Sequence, residues 1–190
     1  MSAIRSILVT GALLVALVPV QAAQKQGASV QPMTPLAQKI FCLRNPEECR
    51  VHEAGKNVDV AGGRVVLSAE RMAELNRVNT SVNAKIRPRA EKGADRWQLG
   101  AASGDCEDYV LAKQRMLNGM GWPTSATLIT KVRTKKGELH AVLVARTNGG
   151  DFVLDNLSGS VKPAKSVSYS WVSMQTPADP MKWQKASGKI

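Results

Sequence analysis

The strongest chemical signal in the chain is one short string, Ser103-Gly104-Asp105-Cys106-Glu107-Asp108-Tyr109-Val110. Asp105 is a residue type that caps helices, and Asp108 stands three residues later in capping-box position. Tyr109, Val110, Ala112, Lys113, Met116, Leu117 and Met120 then recur near a 3.6 period up to Asn118-Gly119. The pattern predicts a helix with a thiol in its first turn. The positive end of a helix dipole favours the thiolate, the form that attacks carbonyl carbon. Cys106 is therefore a candidate nucleophile, set against the alternative of a small buried apolar residue.

A cysteine nucleophile needs an imidazole to accept its proton and an acceptor to orient that imidazole. The chain has 2 histidines. His52 falls in a predicted loop, whereas His140 opens a predicted strand after the Lys136-Gly137 turn. Asn148-Gly149 signals a two-residue hairpin, which sets Thr147 against Gly150 and Asp155 against Val142. With side chains alternating, His140 and Asp155 then share one sheet face, a diagonal step apart. Asp155 also interrupts an apolar run, where a carboxylate needs a partner.

Asp105, Glu107 and Asp108 crowd the thiol. A single uncompensated carboxylate ~7 Å away costs a thiolate roughly 2 kcal/mol at an effective dielectric of about 20, more than a helix end usually returns. The helical turn predicts that Glu107 and Asp108 splay away from Cys106 while Asp105 and Asp108 approach each other. Three such carboxylates suit a hard divalent cation such as Ca²⁺, held by oxygen ligands. Capping and dipole placement of acids is the alternative.

The elements that must position these groups follow from the rest of the 190 residues. Residues 1–22 read as a cleavable signal peptide, with Arg5 before an apolar run from Ile7 to Val20 and small residues at Val20-Gln21-Ala22. This predicts export. Residues 23–35 form a polar linker, 36–176 the folded domain, and 177–190 a tail pinned by Trp183. Pro35 to Arg44 predicts a helix carrying Ile40, Phe41 and Leu43 inward. Ser68 starts a second helix, with Leu67 stapled to Met72 and an apolar stripe through Leu75, Val78, Val82 and Ile86 that ends at Arg87-Pro88. Asn76, Asn79 and Asn83 on its polar side either bond across to a loop or face solvent. Strands are predicted over 126–133, 140–146, 152–157 and 166–174. Helices first and strands later make an α+β domain with N-terminal helices packed on an antiparallel β-sheet.

Cysteine arithmetic is a fork. There are 3 cysteines. Pairing Cys42 with Cys49 closes a short loop, stabilising by roughly 2 to 3 kcal/mol, and leaves Cys106 free, whereas either other pairing consumes it. The formal net charge of +11 would suggest nucleic acid in a cytoplasmic protein. Export and the scarcity of stacking aromatics argue for no nucleic acid, and the basic surface fits acidic partners, a membrane surface or simple solubility.

The Gly104-Asp105-Cys106-Glu107-Asp108-Tyr109 string, followed by His140 and by Leu154-Asp155-Asn156, resembles the bacterial transglutaminase-like cysteine peptidases of the LapG type, across roughly Phe41 to Trp171. The resemblance implies a papain-like, transglutaminase-type core in a periplasmic cysteine endopeptidase, with Cys106, His140 and Asp155 as triad. It implies calcium near Asp105, Glu107 and Asp108, the Cys42 and Cys49 pair, and an oxyanion contribution from Trp97 or Gln98. The implied partner is a protein substrate, with a large repeat adhesin of a biofilm as the candidate; a membrane-bound regulator, met through the basic surface, is a further expected partner. Two alternatives stand beside hydrolysis: acyl transfer to an amine, as in a transglutaminase, and a non-catalytic binding module of the same fold.

Overall fold

The computed structural model describes residues 34–186, so the predicted signal peptide and the linker up to residue 33 lie outside the described residues. Helix α1 (Leu36–Arg44) leads into a 3-10 turn at Pro46–Cys49, and the Cys42–Cys49 disulfide ties the two together. That settles the fork, because Cys106 is the free cysteine. A small hairpin, β1 (Val60–Ala61) and β2 (Arg64–Val65), precedes α2 (Ala69–Lys85). Strand β3 (Arg87–Pro88) pairs in parallel with β4 (Ser103–Gly104), directly before α3 (Cys106–Gly119). The chain then lays down β5 (Thr127–Arg133), β6 (Leu139–Thr147), β7 (Gly150–Leu154), β8 (Lys162–Pro163), β9 (Ser170–Thr176) and β10 (Asp179–Lys185).

Local signals explain most boundaries. The Ser68 hydroxyl accepts the Arg71 N–H at the start of α2, and Leu75, Val78 and Val82 turn the predicted stripe inward. Pro88, lacking an N–H and fixed in φ, keeps the helix from continuing. Helix α3 ends at Asn118-Gly119, where the sequence predicts, with Met120 as its C-cap. Gly121, at φ +89°, takes the left-handed position, and its Cα lies 3.0 Å from where a side chain on Gly55 would begin.

The main sheet runs β1-β2-β6-β5-β9-β10, with β7 on β6 and β8 on β7. Strand β6 is antiparallel to β5 from Thr127↔Ala145 to Arg133↔Leu139, and to β7 from Thr147↔Gly150 to Leu143↔Leu154. The hairpin register is thus the one the Asn148-Gly149 turn predicts. Alternate residues of β6 enter different clusters. Ala141, Leu143 and Ala145 join α2 and α3 in the larger core, while Val142 and Val144 pack with Val132, Val153 and Ala164 on the other face. A strand buried on both faces reads as a continuous apolar run, as 141–145 does.

Three expectations need correction. In α1 only Phe41 of the predicted apolar trio is buried, whereas Ile40 and Leu43 are exposed, because the helix turns Ala37, Gln38, Phe41 and Cys42 inward. Residues 179–185 are a strand rather than a tail. They pair with β9, Trp183 is buried and donates its indole N–H to Gln38 Oε1 (2.7 Å), and Gln38 donates to Pro180 O (3.0 Å). The strand predicted over 166–174 instead begins at Ser170, after a short 3-10 turn at Ala164–Ser166.

Candidate active site

Cys106 opens α3 as predicted, with Asp105 at the cap position, although the Asp105 side chain makes no capping bond. Asp108 does the work instead. Its carboxylate accepts the Gln98 backbone N–H (2.8 Å) and is also held down by the Asp105 N–H, which is the returning half of a capping box. This carboxylate lies so close over Gly104 that a Cβ there would sit 2.0 Å from Asp108 Oδ2. Any side chain at 104 would push Asp108 off and unseat the start of α3.

His140 and Asp155 meet as the register predicts. His140 Nε2 donates to Asp155 Oδ1 at 2.9 Å, and both are buried. With Nε2 committed, the acceptor nitrogen left to the neutral ring is Nδ1. Strand β7 stops at Leu154, one residue before Asp155, because the carboxylate takes the Leu157 N–H (2.9 Å) and turns the chain. The second oxygen, Oδ2, accepts the Tyr169 hydroxyl at 2.5 Å, and the Tyr169 ring meets His140 edge-on with centroids 5.9 Å apart. Burial raises the Asp155 pKa, but the bonds from His140, Tyr169 and Leu157 outweigh it and hold the carboxyl below its ordinary value.

The sulfur is less comfortable. The Ala141 N–H, one residue after His140, reaches toward it and favours the thiolate, but Cys106 Sγ donates to Glu107 Oε2 at 2.7 Å. Burial first, and then Glu107, push the thiol pKa up. Here the structure corrects the expectation that Glu107 splays away, since its long side chain curls back onto the thiol. Asp105 is pushed up to about 7 by burial and by the charges of Glu107, Asp108, Glu91 and Asp95. Burial raises Asp108 to about 6. Asp105 Oδ1 is buried without a partner among the described residues.

An oxygen-only, mutually repelling set with an orphaned oxygen fits a hard cation by donor chemistry. In the arrangement seen, however, the described residues contain no group of three His, Cys, Asp or Glu side chains gathered closely enough to hold one. Trp97 is buried in the larger core, while Gln98 is exposed at the edge of the site with its backbone N–H spent on Asp108. His52 is elsewhere, its ring against Glu47 O at 3.2 Å. Sequence reasoning missed Tyr169, whose only signal is a tyrosine fifteen residues or so beyond the hairpin, and left Asn83 undecided. Asn83 donates to the backbone oxygens of Asp155 (2.9 Å) and Ser158 (3.0 Å), so α2 braces the carboxylate's turn.

Solved structures share this fold. Legionella pneumophila LapG matches with TM-score 0.50 and 22% identity over 54% of this chain and 62% of that one. Its EGTA-treated form gives 0.50 and 21% over 60% and 67%, and its calcium-bound form 0.52 and 20% over 62% and 70%. This chain therefore spans less than two thirds of the first of these, and at such identities the likeness is one of fold. No curated protein matches the chain. The model of the bacterial transglutaminase-like cysteine proteinases matches residues 28–189, a span that includes β10 and the whole of the site, and the chain belongs to that family.

Proposed function

We propose that the protein is an exported cysteine endopeptidase in which Cys106, His140 and Asp155 form the triad. The observation that carries this reading is a free cysteine at the start of α3, set against the first residues of β6, where His140 is held by Asp155 at 2.9 Å. Cys106 Sγ attacks the scissile carbonyl carbon as its proton passes to His140 Nδ1. The imidazolium is stabilised by Asp155 and returns the proton to the leaving amine, giving an acyl-enzyme. Water, deprotonated by the same ring, then cleaves the thioester and restores the thiol. The Cys106 backbone N–H and the Gln98 side chain are the donors proposed for the oxyanion.

Before attack, Glu107 has to release the sulfur. Asp105, Glu107 and Asp108 are the residues that would hold calcium, whose charge, when bound, offsets their mutual repulsion. The calcium-bound and EGTA-treated forms of the LapG relative support this reading. The disulfide supports export, since such bonds persist in oxidising compartments. A periplasmic location, a repeat adhesin as substrate and a membrane-bound regulator belong to the same proposal. Incubating purified protein with the host's large repeat adhesins, with and without chelator, should give calcium-dependent fragments, none of them with Cys106→Ala. Fragments from that variant refute the assignment.

The Cys106–Glu107 bond favours a second reading, a binding module with a silenced thiol. Alkylation of Cys106 by iodoacetamide in calcium, no faster than that of a free thiol, would support it over the peptidase. The first reading predicts a faster rate.

A further inference from the structure

Helix α1 is mounted on the domain by one side only. Ala37, Gln38, Phe41 and Cys42 are buried, and Gln38 is tied to Pro180 and Trp183 of β10. On the other side stand Leu36, 72% exposed, Ile40, 41%, and Leu43, 84%. At about 100° per residue these three aliphatic side chains fall within roughly 60° of arc, centred nearly opposite the buried side. Apolar residues at i, i+4 and i+7 make a continuous stripe, and this one is turned away from the core.

The flanks of the stripe carry charge of one sign. Lys39 and Arg44 are exposed, lie about 70° to either side of its centre, and have no ion-pair partner among the described residues. Glu47 is the first acidic residue of the chain, so no acid in the helix sequence or before it offsets these cations. Of the acids adjoining α1, Glu48 in the 3-10 turn is paired with Arg115 (3.1 Å) and Asp179 in β10 with Lys182 (3.5 Å). An apolar stripe between cations whose stems can lie along it is the cross-section of a helix that rests in a lipid interface. A second copy of the chain fits less well. Two such faces would set Lys39 and Arg44 of each copy against those of the other, on chains of formal net charge +11.

We propose that the outer face of α1 is a docking surface for an anionic phospholipid bilayer. Leu36, Ile40 and Leu43 enter the boundary between headgroups and acyl chains, while Lys39 and Arg44 meet the headgroup phosphates. The disulfide to Cys49 and the bonds to β10 hold the helix as a rigid ridge, so docking has no backbone left to order. A stripe this short gives weak, reversible binding that needs both the apolar and the charged contribution. The inference does not depend on the peptidase reading.

Co-sedimentation with protein-free vesicles tests it, on the processed chain whose intact mass shows the predicted leader removed. The parent should partition onto vesicles of phosphatidylcholine and phosphatidylglycerol in equal parts about tenfold more strongly than onto phosphatidylcholine alone, and raised salt should remove most of that difference. Leu36→Gln with Leu43→Gln should lower partition onto the anionic vesicles by about tenfold, as should Lys39→Gln with Arg44→Gln, each pair keeping the parent's thermal midpoint. Leu139→Gln, which removes a leucine 61% exposed on β6, should leave partition unchanged. Equal partition onto both vesicle types overturns the proposal, as does either folded pair that binds like the parent, or a Leu139 variant that binds as poorly as they do. A parent that ignores both vesicles overturns it and gives the stripe to a protein instead, a second copy if the parent is a dimer that the Leu36 and Leu43 changes dissociate. Pairs that fail to fold would make these side chains part of the core, which overturns it too.

Discussion

The two halves of the site treat charge in opposite ways. Around Asp155 both carboxylate oxygens have partners, from His140, Leu157 and Tyr169, and the carboxyl is held acidic. Around Cys106, burial and the charges of Glu107 and Asp108 raise Asp105, burial and Glu107 raise Asp108, one Asp105 oxygen has no partner among the described residues, and the thiol is donated to an acid. Burial is common to both, so burial does not distinguish them. What differs is the supply of donors, which arrive at Asp155 from β6, from the loop before β9 and from its own turn, and at Asp105 hardly at all. The base and its orienter are thus set by the fold, whereas the nucleophile depends on where one flexible glutamate points.

The comparison breaks most visibly at its chemical centre. Cys106→Ala should abolish turnover, and Asp155→Asn should lower kcat by about 10³ to 10⁴-fold through the wrong tautomer of His140. Purified-protein cleavage kinetics measure both, and a mild Asp155→Asn phenotype would show that the ring needs no orienter. Next comes the half with few donors. Glu107→Gln should raise the rate of Cys106 alkylation by iodoacetamide in chelator by about tenfold, because the variant takes away a negative charge beside the sulfur. An unchanged rate would mean that something other than Glu107 restrains the thiol.

Tyr169→Phe probes the other half more gently. Losing one hydroxyl from Asp155 Oδ2 should destabilise by about 1 to 3 kcal/mol in a urea titration. It should also reduce kcat several-fold, with KM unchanged.

The smallest effect is a pair of opposed pH slopes. Asp105 and Asp108 titrate near 7 and 6, above their ordinary 3.8, so the metal-free folded chain binds more protons than the unfolded one between about 4 and 7. Their contribution therefore declines as pH rises through that window. Asp155 is shifted downward, so its contribution is present above 3.8 and is lost only as pH falls through its lower folded value. Thermal midpoints against pH in chelator should show the first slope. Asp105→Asn or added calcium should flatten it, and a slope that survives both would place its origin elsewhere.

Much of this was legible beforehand for a physical reason. Register in a two-residue hairpin is rigid arithmetic, so the spacing of Asn148-Gly149 from His140 and Asp155 led to the 2.9 Å bond. The helix start at Cys106 was equally readable, because caps and stripes are local. What stayed hidden depends on contacts distant in sequence or on rotamers. Tyr169 reaches Asp155 across a loop, Asp108 is recruited by Gln98, and the curl of Glu107 onto Cys106 is a choice among side-chain conformers that no periodicity encodes. Strand β10 was missed because its apolar signal is sparse. Its worth comes from Trp183 and Pro180 meeting Gln38, about 140 positions earlier.

That last meeting bears on how the molecule is made. The ribosome releases the amino end first, yet α1 finds its polar anchor only when residues 180 to 183 arrive. The polar bonds of α1 are therefore made late, and until the chain reaches residue 183 the segment carrying Cys42 and Cys49 lacks them.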